Sequence, residues 1–232
     1  GELAAALTGA GRGVLLCEFG PQANATSGMG VDKTLSKGIY NVLIGEVTAQ
    51  EALVHTRFGD VLPSNKALAG AGIELIAMDN REYLLRDAID QVKDQYDFVF
   101  VDCPPSLELL TLNALCAADA ILVPVQGEYF ALEGLSDLMN TVRIVRRSLN
   151  PALELDGVLL TMFDGRTNLA LQVAEEVKHY FPGKVFATVI PRNVRLSEAP
   201  SHGKPITAYD RTSRGAEAYT ALAAEFLKKQ SA

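Results

Sequence analysis

At 232 residues and 48% hydrophobic content, the chain can bury one sizeable core, and its even composition without fixed-period repeats points to a single domain over 1–232. A net charge of −7 argues against a general polyanion binder, although the charge is uneven: residues 1–165 hold 11 Lys and Arg against 22 Asp and Glu, and residues 166–232 hold 10 against 6. Apolar runs such as AILVPV fall far short of a membrane span and no basic-then-apolar leader opens the chain, so a soluble cytoplasmic protein with no membrane partner is expected.

In chain order, ELAAALTGAG reads as the body of a helix with a glycine stop, with no strand ahead of it. A parallel α/β sheet ordinarily opens with a strand whose exit turn binds phosphate. The GAGRG that follows stands after a helix and before a strand, the reverse of that order, so its glycines form a turn. The pattern G-x-x-x-x-G-K-[ST] occurs nowhere: Gly183-Lys184 and Gly203-Lys204 run into Val185 and Pro205.

GVLLCEF (13–19) is the first of six continuous apolar, β-branched runs; the others span 60–64, 97–103, 120–126, 155–163 and 184–190. Between them, 131–149 carries Leu132, Leu135, Leu138, Met139, Val142 and Val145 at three- and four-residue steps, and 168–180 and 214–229 read likewise as helices. Strands buried on both faces and separated by helices mean βαβ units and a parallel sheet. Cys17, Cys103 and Cys116 have no C-x-x-C spacing and read as buried thiols, while His55, His179 and His202 lack metal-ligand spacing.

Two carboxylates stand out. Glu18 closes the first run, at the strand end where α/β proteins place ligands and where an acid holds a metal or a water. Two residues on, where a second acid would complete such a pair, is Gly20. In YDFVFVDCPPS (96–106), Asp102 follows four apolar residues and precedes Pro104-Pro105. That is the form of a Walker B strand, whose acid holds the Mg²⁺ of a nucleotide through water, though an aspartate there also serves as a simple helix cap.

The blocks GPQANATSGMGVDK, DFVFVDCPPSLELLTLNAL, ILVPVQGEYFALEGLSDLMNTV, GVLLTMFDGRTNL and VIPRNVRLSEAPSHGKPITAYDRTSRGAEAY resemble, in register, those of ParA/Soj chromosome- and plasmid-partitioning ATPases, relatives of MinD among the deviant-Walker-A P-loop NTPases. The resemblance implies a three-layer parallel-sheet P-loop NTPase-like fold, here lacking the first strand and phosphate loop, so that the domain is incomplete at its amino end. That strand would lie inside the sheet beside the Asp102 strand, and its loss would leave unpaired backbone groups and a marginal fold. Also implied are Mg-ATP as cofactor, a nucleotide-dependent homodimer, non-specific DNA, a ParB-type centromere-binding partner and a nucleoid-associated location. Glu18 and Asp102 fall on catalytic and metal positions, Pro21, Gln22, Pro191 and Asn193 on nucleotide-binding ones, and Arg166 and Arg195 on arginines that contact DNA phosphates.

The sequence also departs from that pattern. Gly20 stands where the family has the aspartate that orients the attacking water, Gly127 where a cysteine is frequent, and Glu108 where a small residue follows Walker B. Mg-ATP binding by this chain is therefore in question, and the chain as written is expected not to hydrolyse ATP. The function implied is ATP-dependent DNA segregation; the alternative is a non-catalytic DNA- or partner-binding pseudo-ATPase module. Arg143, Arg146 and Arg147 extend a basic patch or line a solvated helix edge.

Overall fold

A computed structural model describes residues 1–20, 24–32, 34–103 and 108–231. After a helix at Glu2–Gly9 come strands β1 (Val14–Glu18), β2 (Val54–Thr56), β3 (Gly59–Leu62), β4 (Phe98–Asp102), β5 (Ala120–Gln126) and β6 (Glu154–Thr161). The principal later helices are Leu84–Asp90, Leu109–Ala117, Ala131–Ser148, Asn168–Tyr180 and Arg214–Gln230.

β1 lies between β3 and β4, parallel to both, and all five of its residues are buried. Its side chains alternate as a strand's must. Leu15 and Cys17 face a cluster with Leu62, Leu75, Leu85 and Ile89, whereas Val14 packs with Leu7, Leu222 and Phe226, and Leu16 with Ala5, Met29 and Val61. Helices thus cover both faces of this sheet, the expected three layers. The expected helix over 131–149 forms at Ala131–Ser148, with Leu135, Val142 and Val145 buried along its stripe.

Buried amides pin the helices to one another. Asn113, fully buried, accepts from Leu85 N at 3.1 Å and donates to the carbonyls of Arg81 (2.8 Å) and Leu109 (3.0 Å). It thereby satisfies a first-turn N–H of the helix Leu84–Asp90 that has no partner within that helix. Asn150 Nδ2 donates to the carbonyls of Leu115 (2.9 Å) and Ala118 (2.8 Å), closing the end of the helix Leu109–Ala117.

Two expectations are corrected. The sheet is mostly but not wholly parallel: β2, not foreseen, pairs antiparallel with β3. The gap expected beside the Asp102 strand is present, since among the described residues the strands form two sheets, β2-β3-β1-β4 and β5-β6. The break falls beside β4, where the resemblance places a further strand. Its two flanks are as apolar as β1 but less covered: Phe98 to Val101 are half-buried, and Ala120, Pro124 and Gln126 are exposed. Pro124 is at home there, because a strand tolerates proline where one edge has no ladder partner.

The run 184–190 also fails to form a regular strand. It touches β6 through Val158 N to Lys184 O (2.7 Å), Phe186 N to Val158 O (2.9 Å) and Ile190 N to Leu160 O (2.9 Å). Between these contacts the segment leaves the ladder to meet Glu225, whose carboxylate accepts from Ala187 N (2.7 Å) and Thr188 N (2.8 Å).

Candidate functional site

Parallel pairing sets Glu18 and Asp102 side by side at the carboxyl ends of neighbouring strands, in register, with Phe19 N donating to Asp102 O at 2.7 Å. Their environments differ. Asp102 is exposed, whereas Glu18 is 3% exposed. The Glu18 carboxylate turns back on its own exit loop: Oε1 accepts from Gly20 N at 2.9 Å and Oε2 from Thr26 N at 3.2 Å. Ser64, buried at the end of β3, donates through Oγ to Gly20 O (2.8 Å) and through N to Thr26 Oγ1 (3.3 Å). Glu18 therefore ties Gly20 and Thr26 to the end of β1, with Thr26 and Ser64 as helpers that no sequence pattern singled out. Pro21 and Gln22, like Pro104 to Ser106, lie outside the described residues.

Burial pushes the Cys17 thiol up to about 12, and burial together with the Asp102 and Glu18 charges pushes Cys103 up to about 11. Both are packing thiols at neutral pH. Glu108 is exposed at the amino end of the helix Leu109–Ala117, the neutral placement for an extra carboxylate. A Cβ at residue 127 would stand 2.9 Å from Ala170 Cβ and 3.0 Å from its Cα, so glycine lets the β5 exit lie against the start of the helix Asn168–Tyr180.

The carboxyl end of β6 is laced to the segment after 184–190. Phe163 N donates to Ile190 O (3.0 Å) and Arg192 N to Phe163 O (3.3 Å). Arg166 and Arg195, 29 residues apart in sequence, thus stand on two connected segments, with Arg192 between them. Pro191 bridges to Phe163, and Asn193 Oδ1 accepts from Leu196 N (3.3 Å) as the cap of the short helix Val194–Glu198. The 199–203 turn reaches the loop after β1, where a Cβ on Gly30 (φ +77°) would lie 3.0 Å from Gly203 O. Arg143, Arg146 and Arg147 are exposed along one helix edge, and Arg143 Nη1 donates to Asn140 Oδ1 at 2.6 Å.

As a metal site the Glu18–Asp102 pair is half-suited. Asp102 is open to a hydrated Mg²⁺, but both Glu18 oxygens already accept backbone N–H groups. Among the described residues no three His, Cys, Asp or Glu side chains converge as a metal-binding group. The clefts of ≈ 510 and ≈ 730 Å³ lie along the helix Asn168–Tyr180 and the 181–189 segment, lined by Leu160, Phe181 and Val189 among others, and reach neither carboxylate.

Comparison with known proteins decides the family. The chain is 54% identical over 227 residues to the sporulation initiation inhibitor protein Soj of Bacillus subtilis, covering 97% of this chain and 90% of that protein. It is 51% identical to the chromosome partitioning protein ParA of Myxococcus xanthus, covering 98% and 82%. The chain belongs to the Soj/ParA family of chromosome-partitioning ATPases. An AAA-domain family model matches residues 1–155. Among solved structures, cobyrinic acid a,c-diamide synthase of Mycobacterium smegmatis, with ATP analogue and magnesium, superposes with TM-score 0.86 at 36% identity over 100% of this chain and 88% of that one. The cell division ATPase MinD of Pyrococcus furiosus gives 0.78 at 27%, covering 98% and 90%. One fold thus carries differently named activities, and this Soj/ParA member takes its function from the relatives at higher identity.

Proposed function

We propose that this Soj/ParA-family chain partitions chromosomal DNA by gripping it non-specifically through the arginines at the carboxyl end of β6, in concert with a centromere-binding partner. The observation that carries the reading is the 46–54% identity to Soj and ParA relatives over 97–98% of the chain. It favours partitioning over a free-standing binding module. The 166–232 segment, with 10 Lys and Arg against 6 Asp and Glu, supplies the cationic ground for phosphate contacts in an otherwise acidic chain.

Nucleotide enters this reading through the solved neighbours, which hold an ATP analogue or ADP with magnesium. Asp102, exposed at the end of β4, would hold the hydrated metal, and nucleotide would supply the switch between states when bound. Gly20 has no side chain to orient a water, so phosphate release from ATP is expected to fall far below that of Soj relatives assayed alongside. The test is fluorescence anisotropy on duplex DNA of arbitrary sequence. Binding should weaken with salt, and Arg166→Ala or Arg195→Ala should weaken it and flatten the salt slope by about one unit each. Binding that ignores salt and both substitutions sinks the reading.

A further inference from the structure

We propose that Asp164 is a built-in counter-ion for Arg166: a DNA phosphate gains this guanidinium only by displacing the Asp164 carboxylate, and that exchange sets how tightly the face grips DNA. The inference rests on the DNA-binding reading above and adds to it a residue that tunes affinity.

The geometry is that of a phosphate clamp already filled. Arg166 has a side chain 90% exposed, yet its guanidinium is not free: Nε donates to Asp164 Oδ1 at 2.9 Å and Nη2 to Oδ2 at 2.9 Å. This two-pronged edge is the one arginine offers to a pair of phosphate oxygens. The carboxylate is the fixed partner. Phe163, just before it, is hydrogen-bonded to Ile190 and Arg192. Asp164 Oδ1 also accepts from Arg166 N (3.1 Å), and its carbonyl accepts from Thr167 N and Thr167 Oγ1, both at 3.1 Å. Asp164 therefore sits on a pinned turn, while Arg166 is a long side chain with solvent around it.

Hydrogen bonds from the Arg166 side chain and backbone hold the Asp164 carboxyl down to about 2, so it stays charged across the physiological range. A cation that binds DNA gains free energy when mobile counterions leave the phosphates. Where a tethered carboxylate already neutralises the cation, the approaching phosphate also meets that carboxylate's charge. Arg195 is arranged in the same way, Nη1 on Glu198 Oε2 (3.2 Å) and Nε on Asp210 Oδ2 (3.3 Å), with Tyr209 OH donating to the same Glu198 oxygen (2.8 Å). Both arginines marked in the sequence thus carry intramolecular partners that a phosphate must replace.

Asp164→Asn isolates the charge, because the amide oxygen still accepts from Arg166 N and keeps the turn. Anisotropy with the full chain and duplex DNA at low salt should show Asp164→Asn binding about two- to fivefold tighter than wild type, the range an exposed ion pair is worth. Added salt should shrink the gain. In an Arg166→Ala background the gain should shrink to the small part that comes from relieving carboxylate–phosphate repulsion. Asp164→Ser, which keeps a short oxygen acceptor, should reproduce the tightening if the asparagine variant folds poorly. Asp164→Asn binding no tighter than wild type, or a gain undiminished without Arg166, overturns the inference. If Arg166→Ala weakens binding while Asp164→Asn does not tighten it, only this inference falls; if Arg166→Ala has no effect, the DNA-binding reading falls with it.

Discussion

Removing the Glu18 carboxylate tests whether it is a structural anchor. Glu18→Ala deletes a side chain that is 3% exposed and strips the acceptors from Gly20 N and Thr26 N, at 2.9 and 3.2 Å. A backbone N–H bound to a charged acceptor contributes about 1.5–3 kcal/mol, so the pair amounts to roughly 3–6 kcal/mol. The buried methylenes add about 0.8 kcal/mol each. Against a domain stability of about 5–15 kcal/mol, that is a large fraction. Glu18→Gln, which retains one acceptor and turns an amide donor toward an N–H, should lose about half as much. Urea unfolding followed by circular dichroism measures both. A loss below about 1 kcal/mol for Glu18→Ala would refute the anchor argument. So would Mg²⁺ raising the wild-type midpoint but not that of Glu18→Ala, which would make the carboxylate a ligand.

Three further outcomes are expected. Among the described residues β4 and β5 each have one ladder edge without a strand partner, which leaves backbone groups poorly satisfied at about 1–3 kcal/mol for each that is buried. The chain should therefore melt below about 50 °C; a cooperative transition well above that contradicts it. Asn113→Ala leaves Leu85 N and the Arg81 and Leu109 carbonyls without their side-chain partner. It should cost about 2–4 kcal/mol in denaturant titration, and a loss under about 1 kcal/mol would mean the helices repack around it. Burial raises the Glu225 carboxyl, but the Thr188 and Ala187 hydrogen bonds outweigh it and hold the group below its ordinary 4.5. A depressed acid stabilises the fold above its unfolded value and loses that contribution as pH falls through the folded one. Glu225→Gln should therefore destabilise the protein at neutral pH and converge on wild type as acid protonates the folded carboxyl; a gap that persists once it is protonated refutes this.

The parallel strands and long helices were legible in the sequence because their signals are local. Leu135, Val142 and Val145 recur at helical spacing, and 13–19, 97–103 and 120–126 are apolar throughout. The 184–190 run carries the same local signal and does not become a regular strand, because Ala187 and Thr188 turn to Glu225 on the last helix, a partner 37 to 38 residues away. β2 was missed because three residues with intermediate or exposed side chains have no apolar run to announce them.

By itself, the sequence determined the fold class and the family and marked candidate carboxylates and arginines, since residue type and spacing carry that information. Which of those groups are available was decided only in three dimensions. Strand register set Glu18 beside Asp102, the Glu18 oxygens accept from Gly20 N and Thr26 N, and Arg195 meets Asp210 from beyond its own short helix as well as Glu198 within it. A charged side chain's chemistry depends on the donors and acceptors within about 3 Å of it, and only tertiary packing brings together those far apart in sequence.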